Sequence, residues 1–351
     1  MTRSLTRLTA AAVIAAFVMP VFLMTGCGAS PSYIERQSFY FDTVCAIRIY
    51  DMTDFSEERA DAAISEAFRA CAGYEEILSR TRRGSDIDLI NRAGGEPVLC
   101  RDDTVALLTK ALAYNRLSGG LFCVTIGAVQ SLWDFHQAED PVIPDVSSVA
   151  GAVASVDDSA VVIEGNTVTL TDPRARLDLG GIAKGYIADR LCQLLRSEGV
   201  TSAIISLGGN VACIGSRHDR RLLSTKETPF SVGIETPFSE AQEIAGTVSG
   251  DSLTVVTSGI YERCFEVDSR LYHHILDPAT GYPADTDVAG VSVIAGEGHS
   301  ADCDALSTIC LLAGTEKGLA LIESLDGYEA VFITTDGEVR LTSGADLEPA
   351  A

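Results

Sequence analysis

Residues 177–186 read Leu-Asp-Leu-Gly-Gly-Ile-Ala-Lys-Gly-Tyr, a strand end that runs through two glycines into a helix. Glycine lets a backbone approach a ligand closely, and the unpaired N–H groups at a helix start bind phosphate. Lys184 would meet such a phosphate or pair with an acid, and Asp178 would accept hydrogen bonds from a ligand. The alternative is a plain glycine turn with a surface lysine. The stretch predicts a strand-to-helix junction with a candidate anion site.

Strands and helices surround this junction in mixed order. Apolar periodicity predicts strands over 37–50, 203–206, 230–234, 243–248, 253–257, 288–295 and 329–334, hairpins over 161–170 and 329–341, and helices over 54–78, 103–117, 185–198, 300–312 and 315–325. Asp54, with Glu57 three residues later, is predicted to cap the first helix. The start of the segment 136–160, with two prolines, reads as a loop. Because the elements do not alternate strictly, the pattern favours an α+β fold with mixed sheets packed against helices.

The composition narrows the functional classes. The chain has 351 residues, 46% hydrophobic and 21% charged, which is typical of a globular protein with a sizeable core. Its formal net charge is −23, so it is not suited to nucleic acid or an anionic membrane face. A chain with so few lysine and arginine residues would need a bound divalent metal to neutralise the charge of a phosphate ligand.

The N-terminus is typical of an export signal. Arg3 and Arg7 precede an apolar run over residues 8–24 that is short for a membrane span. The run ends in Met-Thr-Gly-Cys, which resembles a bacterial lipobox and predicts a signal peptide over 1–26 with Cys27 as the lipidated first residue. Residues 28–38 would form a tether. An uncleaved anchor helix is the alternative, and it gives the same side of the membrane.

Nine further cysteines have neither CxxC pairing nor metal-type spacing. Most lie in apolar runs, so we expect small buried hydrophobic residues. Thiols of exported proteins are normally oxidised, so one or two disulfides are the alternative.

Three more clusters are unusual for a core. Residues 206–210 read Ser-Leu-Gly-Gly-Asn, and residues 257–263 read Thr-Ser-Gly-Ile-Tyr-Glu-Arg; a tight turn explains the first as well as a site does. Residues 272–283 place two adjacent histidines in a loop punctuated by proline and glycine. Histidine is the side chain best suited to proton transfer near neutral pH, so this loop is a catalytic candidate, with a purely structural loop as the alternative.

The last cluster covers residues 300–308, Ser-Ala-Asp-Cys-Asp-Ala-Leu-Ser-Thr. In a helix, Asp304 and Thr308 are four residues apart and share a face. A carboxylate, a hydroxyl and nearby carbonyls are oxygen donors, which Mg²⁺ prefers when it shares its shell with substrate phosphates. Helix capping by Ser300 or Asp302 is the alternative.

Together these clusters resemble the FAD:protein FMN transferase family, the ApbE family of flavin-trafficking lipoproteins. The resemblance runs from about Phe39 to Leu341, and it implies one transferase domain over 39–345 with a T-fold-like α+β architecture. Its most specific parts are residues 178–186, 274–283 and 304–308. A further segment, 122–135, resembles the family segment that ends in a tryptophan beside the flavin.

The resemblance implies a role for thirteen residues. FAD contacts would come from Phe41, Thr81, Leu132, Trp133, Asp134, Asp178, Lys184 and Leu276. The metal, Mg²⁺ or Mn²⁺, would be held by the side chains of Asp304 and Thr308 with carbonyls of Gly181 and Ser307. His274 would assist proton removal from the acceptor, and Asp304 would be essential to catalysis. Phe41 stands where the family has methionine, and Thr81 where many members have tyrosine.

The implied reaction transfers FMN from FAD to a threonine or serine hydroxyl of an exported redox subunit, with release of AMP. The metal would withdraw charge from the diphosphate as the P–O bond breaks. The family acceptor motif is a short Ser/Thr-Gly-Ala/Ser-Thr segment. Residues 342–345 read Thr-Ser-Gly-Ala, but Asp346 stands at the place of the acceptor hydroxyl, so self-modification is not expected. A metal-dependent FAD pyrophosphatase and a non-catalytic flavin-binding lipoprotein stay as alternatives.

Overall fold

The computed structural model describes residues 33–50, 56–135, 141–218, 227–239 and 243–350. These residues belong to one compact unit that spans residues 32–351. Among them, no helix has the length and the apolar character needed to cross a membrane. The predicted signal peptide, Cys27 and residues 28–32 of the predicted tether lie outside the described residues. The tether prediction is wrong for residues 34–38, because they belong to the first strand, Ile34–Tyr40.

The described part of the chain contains eight α-helices. They are α1 Glu57–Leu78, α2 Asp86–Arg92, α3 Asp102–Leu117, α4 Gly127–Gln130, α5 Val146–Val153, α6 Ala183–Ser197, α7 Ser300–Ala313 and α8 Thr315–Glu323.

The strands of the described part form five sheets. They are β1 Ile34–Tyr40, β2 Thr43–Ile49, β3 Val98–Leu99, β4 Val161–Glu164, β5 Thr167–Leu170, β6 Ala203–Leu207, β7 Asn210–Ile214, β8 Arg217–His218, β9 Glu227–Thr228, β10 Phe230–Glu235, β11 Ile244–Gly250, β12 Leu253–Gly259, β13 Cys264–Val267, β14 Arg270–His273, β15 Val288–Gly296, β16 Glu329–Thr334, β17 Val339–Leu341 and β18 Glu348–Pro349.

An eight-stranded antiparallel sheet forms the centre, in the order β1-β2-β6-β7-β12-β15-β16-β17. The small sheets are β10-β11-β18, β3-β5-β4, β13-β14 and β8-β9. Mixed sheets packed with helices confirm the predicted α+β class.

One face of the central sheet packs against α1, α6 and α7. Residues that are paired directly across neighbouring strands point to the same face of a sheet. Cys45 pairs with Leu207, Leu207 with Asn210, and Asn210 with Val256, so all four share this face. All four side chains are buried. This helix-side core holds α6 and α7 side by side over the middle of the sheet.

The opposite face packs against the three-stranded sheet of β10, β11 and β18. Val211 and Val255 of the central sheet meet Val232 and Ile234 of β10 in one apolar cluster. Strand β10 alternates between buried and exposed residues, as expected for a strand that buries one face.

Three boundaries differ from the sequence-based expectation. The single strand predicted over 37–50 is two strands, β1 and β2, joined by a turn at Phe41 and Asp42, whose φ angles are +54° and +56°. Ser56, not Asp54, caps α1 by accepting a hydrogen bond from the Arg59 N–H, and Asp54 lies outside the described residues. The segment 136–160 is not only a loop, because it contains α5.

Candidate functional site

A deep cleft of about 820 Å³ opens on the helix side of the central sheet. Ten of the thirteen predicted site residues line it: Phe41, Thr81, Trp133, Asp178, Gly181, Lys184, His274, Leu276, Asp304 and Thr308. They come from separate parts of the chain, yet the fold brings them into one cavity. The glycine-rich turn of residues 180–181 and helix α7 both line this cleft.

Helices α6 and α7 touch through their backbones at this point. A Cβ built on Gly185 would lie 2.1 Å from the Ser300 carbonyl oxygen, so only glycine fits there. The Gly185 N–H donates to Asp304 Oδ2 at 2.9 Å. The start of α6 and the first turns of α7 therefore form one rigid unit, with Lys184 and Asp304 on the same wall of the cleft.

Asp304 and Thr308 share a face of α7, as predicted. Asp304 is buried, and within the described residues its Oδ1 has no hydrogen-bond partner. The Thr308 Oγ1 lies 3.3 Å from the Asp304 carbonyl oxygen, and a Cβ on Gly181 would lie 3.3 Å from the same hydroxyl. One carboxylate oxygen and one hydroxyl thus converge beside the glycine turn.

Burial raises the pKa of Asp304, and the nearby Lys184 ammonium partly offsets this effect. Burial also raises the pKa of Glu262, whose side chain is open to the cleft, and Asp304 adds to that rise. The charges of Lys184 and Arg263 offset part of the rise at Glu262. Asp304 and Thr308 supply a carboxylate and a hydroxyl as oxygen donors in the cleft. The described residues hold no group of three or more His, Cys, Asp or Glu side chains that would bind a metal alone. This oxygen-donor set therefore fits Mg²⁺ that completes its shell with phosphate and water.

Ser307 does not reach the cleft. Its side chain is fully buried, and its hydroxyl lies 2.9 Å from the Asp304 carbonyl oxygen and 2.8 Å from the Ser258 hydroxyl. The hydroxyl thus joins α7 to β12 behind the acidic residue.

Leu132 and Asp134 are the other two predicted residues that do not line the cleft; they flank Trp133. The Trp133 indole N–H donates to the Gly281 carbonyl at 3.0 Å, and its ring stacks on Phe135 at 5.6 Å. Leu132 packs into the same aromatic cluster. Trp133 is therefore both a core residue and a flat apolar wall of the cleft.

Asp178 is engaged within the protein. Its Oδ2 pairs with Arg80 Nε at 2.7 Å, and its Oδ1 accepts from the Gly180 N–H at 2.7 Å. Each carboxylate oxygen keeps a second lone pair for a ligand.

Thr81, beside Arg80, hydrogen-bonds the Ser79 hydroxyl at 3.1 Å on the cleft edge, and Phe41 donates its N–H to Glu75 Oε1 at 2.9 Å.

The two histidines play different parts. His273 is buried, with Nε2 3.1 Å from the Ala284 carbonyl oxygen. His274 lines the cleft, with Nδ1 3.3 Å from the Arg263 carbonyl oxygen. A carbonyl only accepts, so this contact assigns the proton to Nδ1 and leaves Nε2 as an acceptor. Burial, together with the charge of Arg263, lowers the pKa of His274 to about 3, so the ring is neutral at physiological pH.

Sequence reasoning missed Arg80, Glu262 and Arg263 as parts of the cleft. Glu262 and Arg263 belong to a segment already singled out, but nothing in its spacing linked it to the acidic helix. Within the described chain, neither Lys184 nor Arg263 has an ion-pair partner. In a protein of net charge −23, two unpaired cations in one cleft indicate a site for an anion.

The described cysteines are free thiols: Cys45, Cys71, Cys100, Cys123, Cys192, Cys213, Cys264, Cys303 and Cys310. Seven are buried, as expected for small apolar residues, and no disulfide links these nine.

Comparison with known proteins gives a consistent result. The model of the ApbE family matches residues 41–332. An FAD:protein FMN transferase of Treponema pallidum is 38% identical over 321 residues, covering 88% of this chain and 87% of the relative, and one of Klebsiella pneumoniae is 35% identical over 288 residues, covering 81% and 85%.

Two solved structures share the fold. The ApbE protein of Thermotoga maritima has a TM-score of 0.78 at 28% identity, covering 89% of this chain and 97% of that structure. The Pseudomonas stutzeri flavinyl transferase ApbE, in its apo form, has a TM-score of 0.74 at 25% identity, covering 90% and 94%. By its sequence match, its relatives and its fold, this chain belongs to the ApbE family.

Proposed function

We propose that this protein is an FAD:protein FMN transferase, which moves FMN from FAD to a threonine or serine hydroxyl of a partner protein. Relatives that share most of the chain's length carry that name. The observation that carries the proposal is the juxtaposition of Lys184 with Asp304 in one cleft, fixed by the hydrogen bond from Gly185.

The cleft has a separate feature for each part of FAD. Trp133 and Phe135 offer a stacked aromatic wall for the flavin ring. Lys184 and Arg263 supply positive charge for the diphosphate, whereas the N–H groups of Ala183 and Gly185 at the start of α6 already donate to Leu179 and Asp304. A cleft of about 820 Å³ is within the range of dinucleotide-sized ligand sites.

Asp304 and Thr308 would hold Mg²⁺, with Gly181 beside them. A bound Mg²⁺ would neutralise the diphosphate and make AMP a better leaving group. Asp304 is suited to this role because one of its oxygens is fixed by Gly185 while the other is free. The acidic wall would otherwise repel the substrate, which explains how so acidic a protein binds a dianion.

His274 would take the proton from the attacking hydroxyl. The acceptor oxygen bonds to the FMN phosphorus, the bond from that phosphorus to the AMP oxygen breaks, and AMP leaves with the electron pair. The neutral ring, with Nδ1 tied to the Arg263 carbonyl, presents Nε2 as the base. Lys184 would stabilise the charge on the phosphoryl oxygens.

The chain does not offer its own acceptor. Thr342 is buried, and its hydroxyl bonds to Glu329 and the Ala330 backbone; Ser343 is tied to Glu323. These contacts support the expectation that residues 342–345 are not modified. The acceptor would be a separate exported protein.

We also propose that the mature protein is attached to the outer side of the cell membrane through lipid on Cys27. The basic start, the short apolar run and the small residues before that cysteine support this location.

A single incubation tests the reaction. The protein is mixed with FAD, MgCl₂ and an exported protein that carries a Ser/Thr-Gly-Ala/Ser-Thr segment, and intact mass and AMP are measured. We expect the acceptor to gain the mass of an FMN phosphoester, with one AMP released for each modification. Free FMN with an unmodified acceptor would instead indicate a pyrophosphatase, and FAD binding without AMP would indicate a carrier.

A further inference from the structure

A second cavity of about 510 Å³ adjoins the cleft at one end of the central sheet. The two cavities share six lining residues: Phe41, Asp42, Lys184, Thr257, Glu262 and Arg263. The second cavity therefore opens directly on the charged part of the cleft, where the diphosphate is proposed to lie.

The two cavities lie on opposite faces of the sheet. Val211 and Val255 line the second cavity, and both belong to the face that packs against β10. Val232 and Gly233 of β10 form another part of its wall. The cleft is on the helix side, so the pair of cavities gives access to the same phosphate region from two directions.

Two successive glycines, Gly208 and Gly209, form part of the wall of the second cavity. Gly208 has φ +70°, and a Cβ there would lie 2.8 Å from the Thr43 hydroxyl. A Cβ on Gly209 would lie 2.8 Å from the Thr257 carbonyl oxygen and 3.3 Å from Glu262 Oε1. Both glycines are therefore packed tightly against Thr43 and Thr257 of the same wall, and a larger residue would not fit at either position.

Exposed apolar side chains surround this cavity. Phe39 and Val44 are register partners, 66% and 56% exposed, and Val44 directly follows Thr43 of the cavity wall. They lie on the same face as Val211 because alternate residues and paired residues share a face. Phe238, 54% exposed, packs against Tyr261 of the cavity wall at 5.9 Å. Exposed large apolar residues beside the wall of a cavity are typical of a protein-binding surface.

We propose that the second cavity and its apolar surroundings, Phe39, Val44 and Phe238, bind the acceptor protein. This inference rests on the proposed transfer reaction, which needs a second substrate while FAD fills the cleft. The occupant is an extended segment that presents the acceptor threonine or serine, because its hydroxyl must reach the charged region that both cavities share. Its hydroxyl enters beside Lys184 and Arg263, and its proton passes to His274 Nε2 as the oxygen bonds to phosphorus.

Three variants separate this surface from the FAD site. Val211→Trp fills the second cavity without touching the cleft lining. The double variant Phe39→Lys with Val44→Asp removes two of the exposed apolar side chains and replaces them with an opposite-charge register pair, which is compatible with the β1–β2 pairing. Leu99→Asp is the matched control, since Leu99 is 78% exposed and belongs to β3, outside both cavities.

The experiment measures two affinities on the mature protein with MgCl₂. Binding of a short peptide containing Ser-Gly-Ala-Thr, labelled with a red dye, is followed by anisotropy in the presence of FAD, and FAD binding is followed by flavin fluorescence. We expect Val211→Trp and the double variant to weaken peptide binding about tenfold or more, with FAD affinity changed less than about twofold and Leu99→Asp equal to wild type.

The inference is overturned if the peptide does not bind wild type, if it binds all variants equally, or if Val211→Trp weakens FAD binding as much as peptide binding. Transfer to the peptide, measured by intact mass in the same samples, tests the proposed function separately. Peptide binding that depends on Val211 without any FMN transfer would retain the docking surface and reject the transferase activity.

Discussion

His274 is the residue whose chemistry depends most on its surroundings. Burial of much of the ring disfavours its charged form, and Arg263 repels a positive charge on the imidazole, so the pKa falls from an ordinary 6.5 to about 3. The unfolded chain binds a proton at this residue below about pH 6.5, whereas the folded protein does not until about pH 3. Acid therefore favours the unfolded state in this range.

We expect the free energy of unfolding to decrease as the pH falls below about 6.5, and His274→Gln to reduce that decrease. The difference between wild type and variant is roughly 1 to 2 kcal/mol at about pH 5 and close to zero above about pH 7.5. Urea unfolding at the two pH values measures it. Equal loss of stability in both proteins would show that His274 is not held neutral by the fold.

Asp304→Ala is expected to abolish transfer. Loss of the proposed metal ligand removes several kcal/mol of transition-state stabilisation, which corresponds to a fall in kcat of roughly a thousandfold. The exposed Asp326→Ala, with the same change in charge, is expected to keep wild-type kcat. Steady-state AMP release with FAD, MgCl₂ and acceptor gives the comparison, and full activity of Asp304→Ala would remove the metal assignment.

Single residues show clearly where sequence reasoning reaches its limit. Lys184, Asp304 and Thr308 were predicted because each lies in a local pattern of glycine, acid and hydroxyl. Arg80 and Glu262 were not, because their positions depend on how distant segments meet. Arg80 reaches Asp178 across 98 residues of chain, and no local spacing indicates such a contact.

Helix α7 begins without a capping side chain of its own, and α6 supplies the missing acceptor. Asp189 receives hydrogen bonds from the Ser300 and Ala301 N–H groups at 2.8 and 3.0 Å. A carboxylate near a helix start also interacts favourably with the helix dipole. Asp189 therefore helps to fix the position of Asp304 one turn further along α7.

Asp189→Ala is expected to lower stability by roughly 2 to 3 kcal/mol, because it leaves two buried N–H groups without an acceptor. It is also expected to weaken Mg²⁺ binding, since the α7 start is no longer fixed, whereas Asp189→Asn retains one acceptor and loses less. Thermal unfolding gives the stability, and Mg²⁺ dependence of FAD binding gives the second effect. Normal Mg²⁺ dependence in Asp189→Ala would limit the residue to a purely structural role.

At the level of elements, the helices and central strands were predictable from periodicity, but two features were not. The β1–β2 turn places Phe41 and Asp42 in the left-handed region without glycine or asparagine, the usual signal for such a turn. Helix α5 is rich in valine and contains glycine, which have low helix propensity, and it depends on the Asp145 cap. A distant side chain supports the turn, because Glu75 accepts from the Phe41 N–H, whereas a local cap supports the helix.

The whole molecule combines a catalytic unit with a predicted lipid anchor. If Cys27 carries lipid, the wild-type chain is recovered with membranes and Cys27→Ala is recovered in the soluble extracytoplasmic fraction. Fractionation of cells followed by immunoblotting tests this. The transfer activity of the variant is expected to equal that of wild type, because Cys27 lies before the whole described unit. Membrane recovery of both proteins would instead favour the uncleaved anchor helix.

The absence of space between Gly185 and Ser300 has a thermodynamic consequence. Since no side chain separates the two helices, neither can shift without carrying the other, and ligands that bind each helix report on one shared conformation. If bound Mg²⁺ increases the affinity for FAD by some factor, bound FAD must increase the affinity for Mg²⁺ by the same factor. Cation and dinucleotide would thus enter as an energetically linked pair, and a single methyl group at residue 185 would weaken both at once.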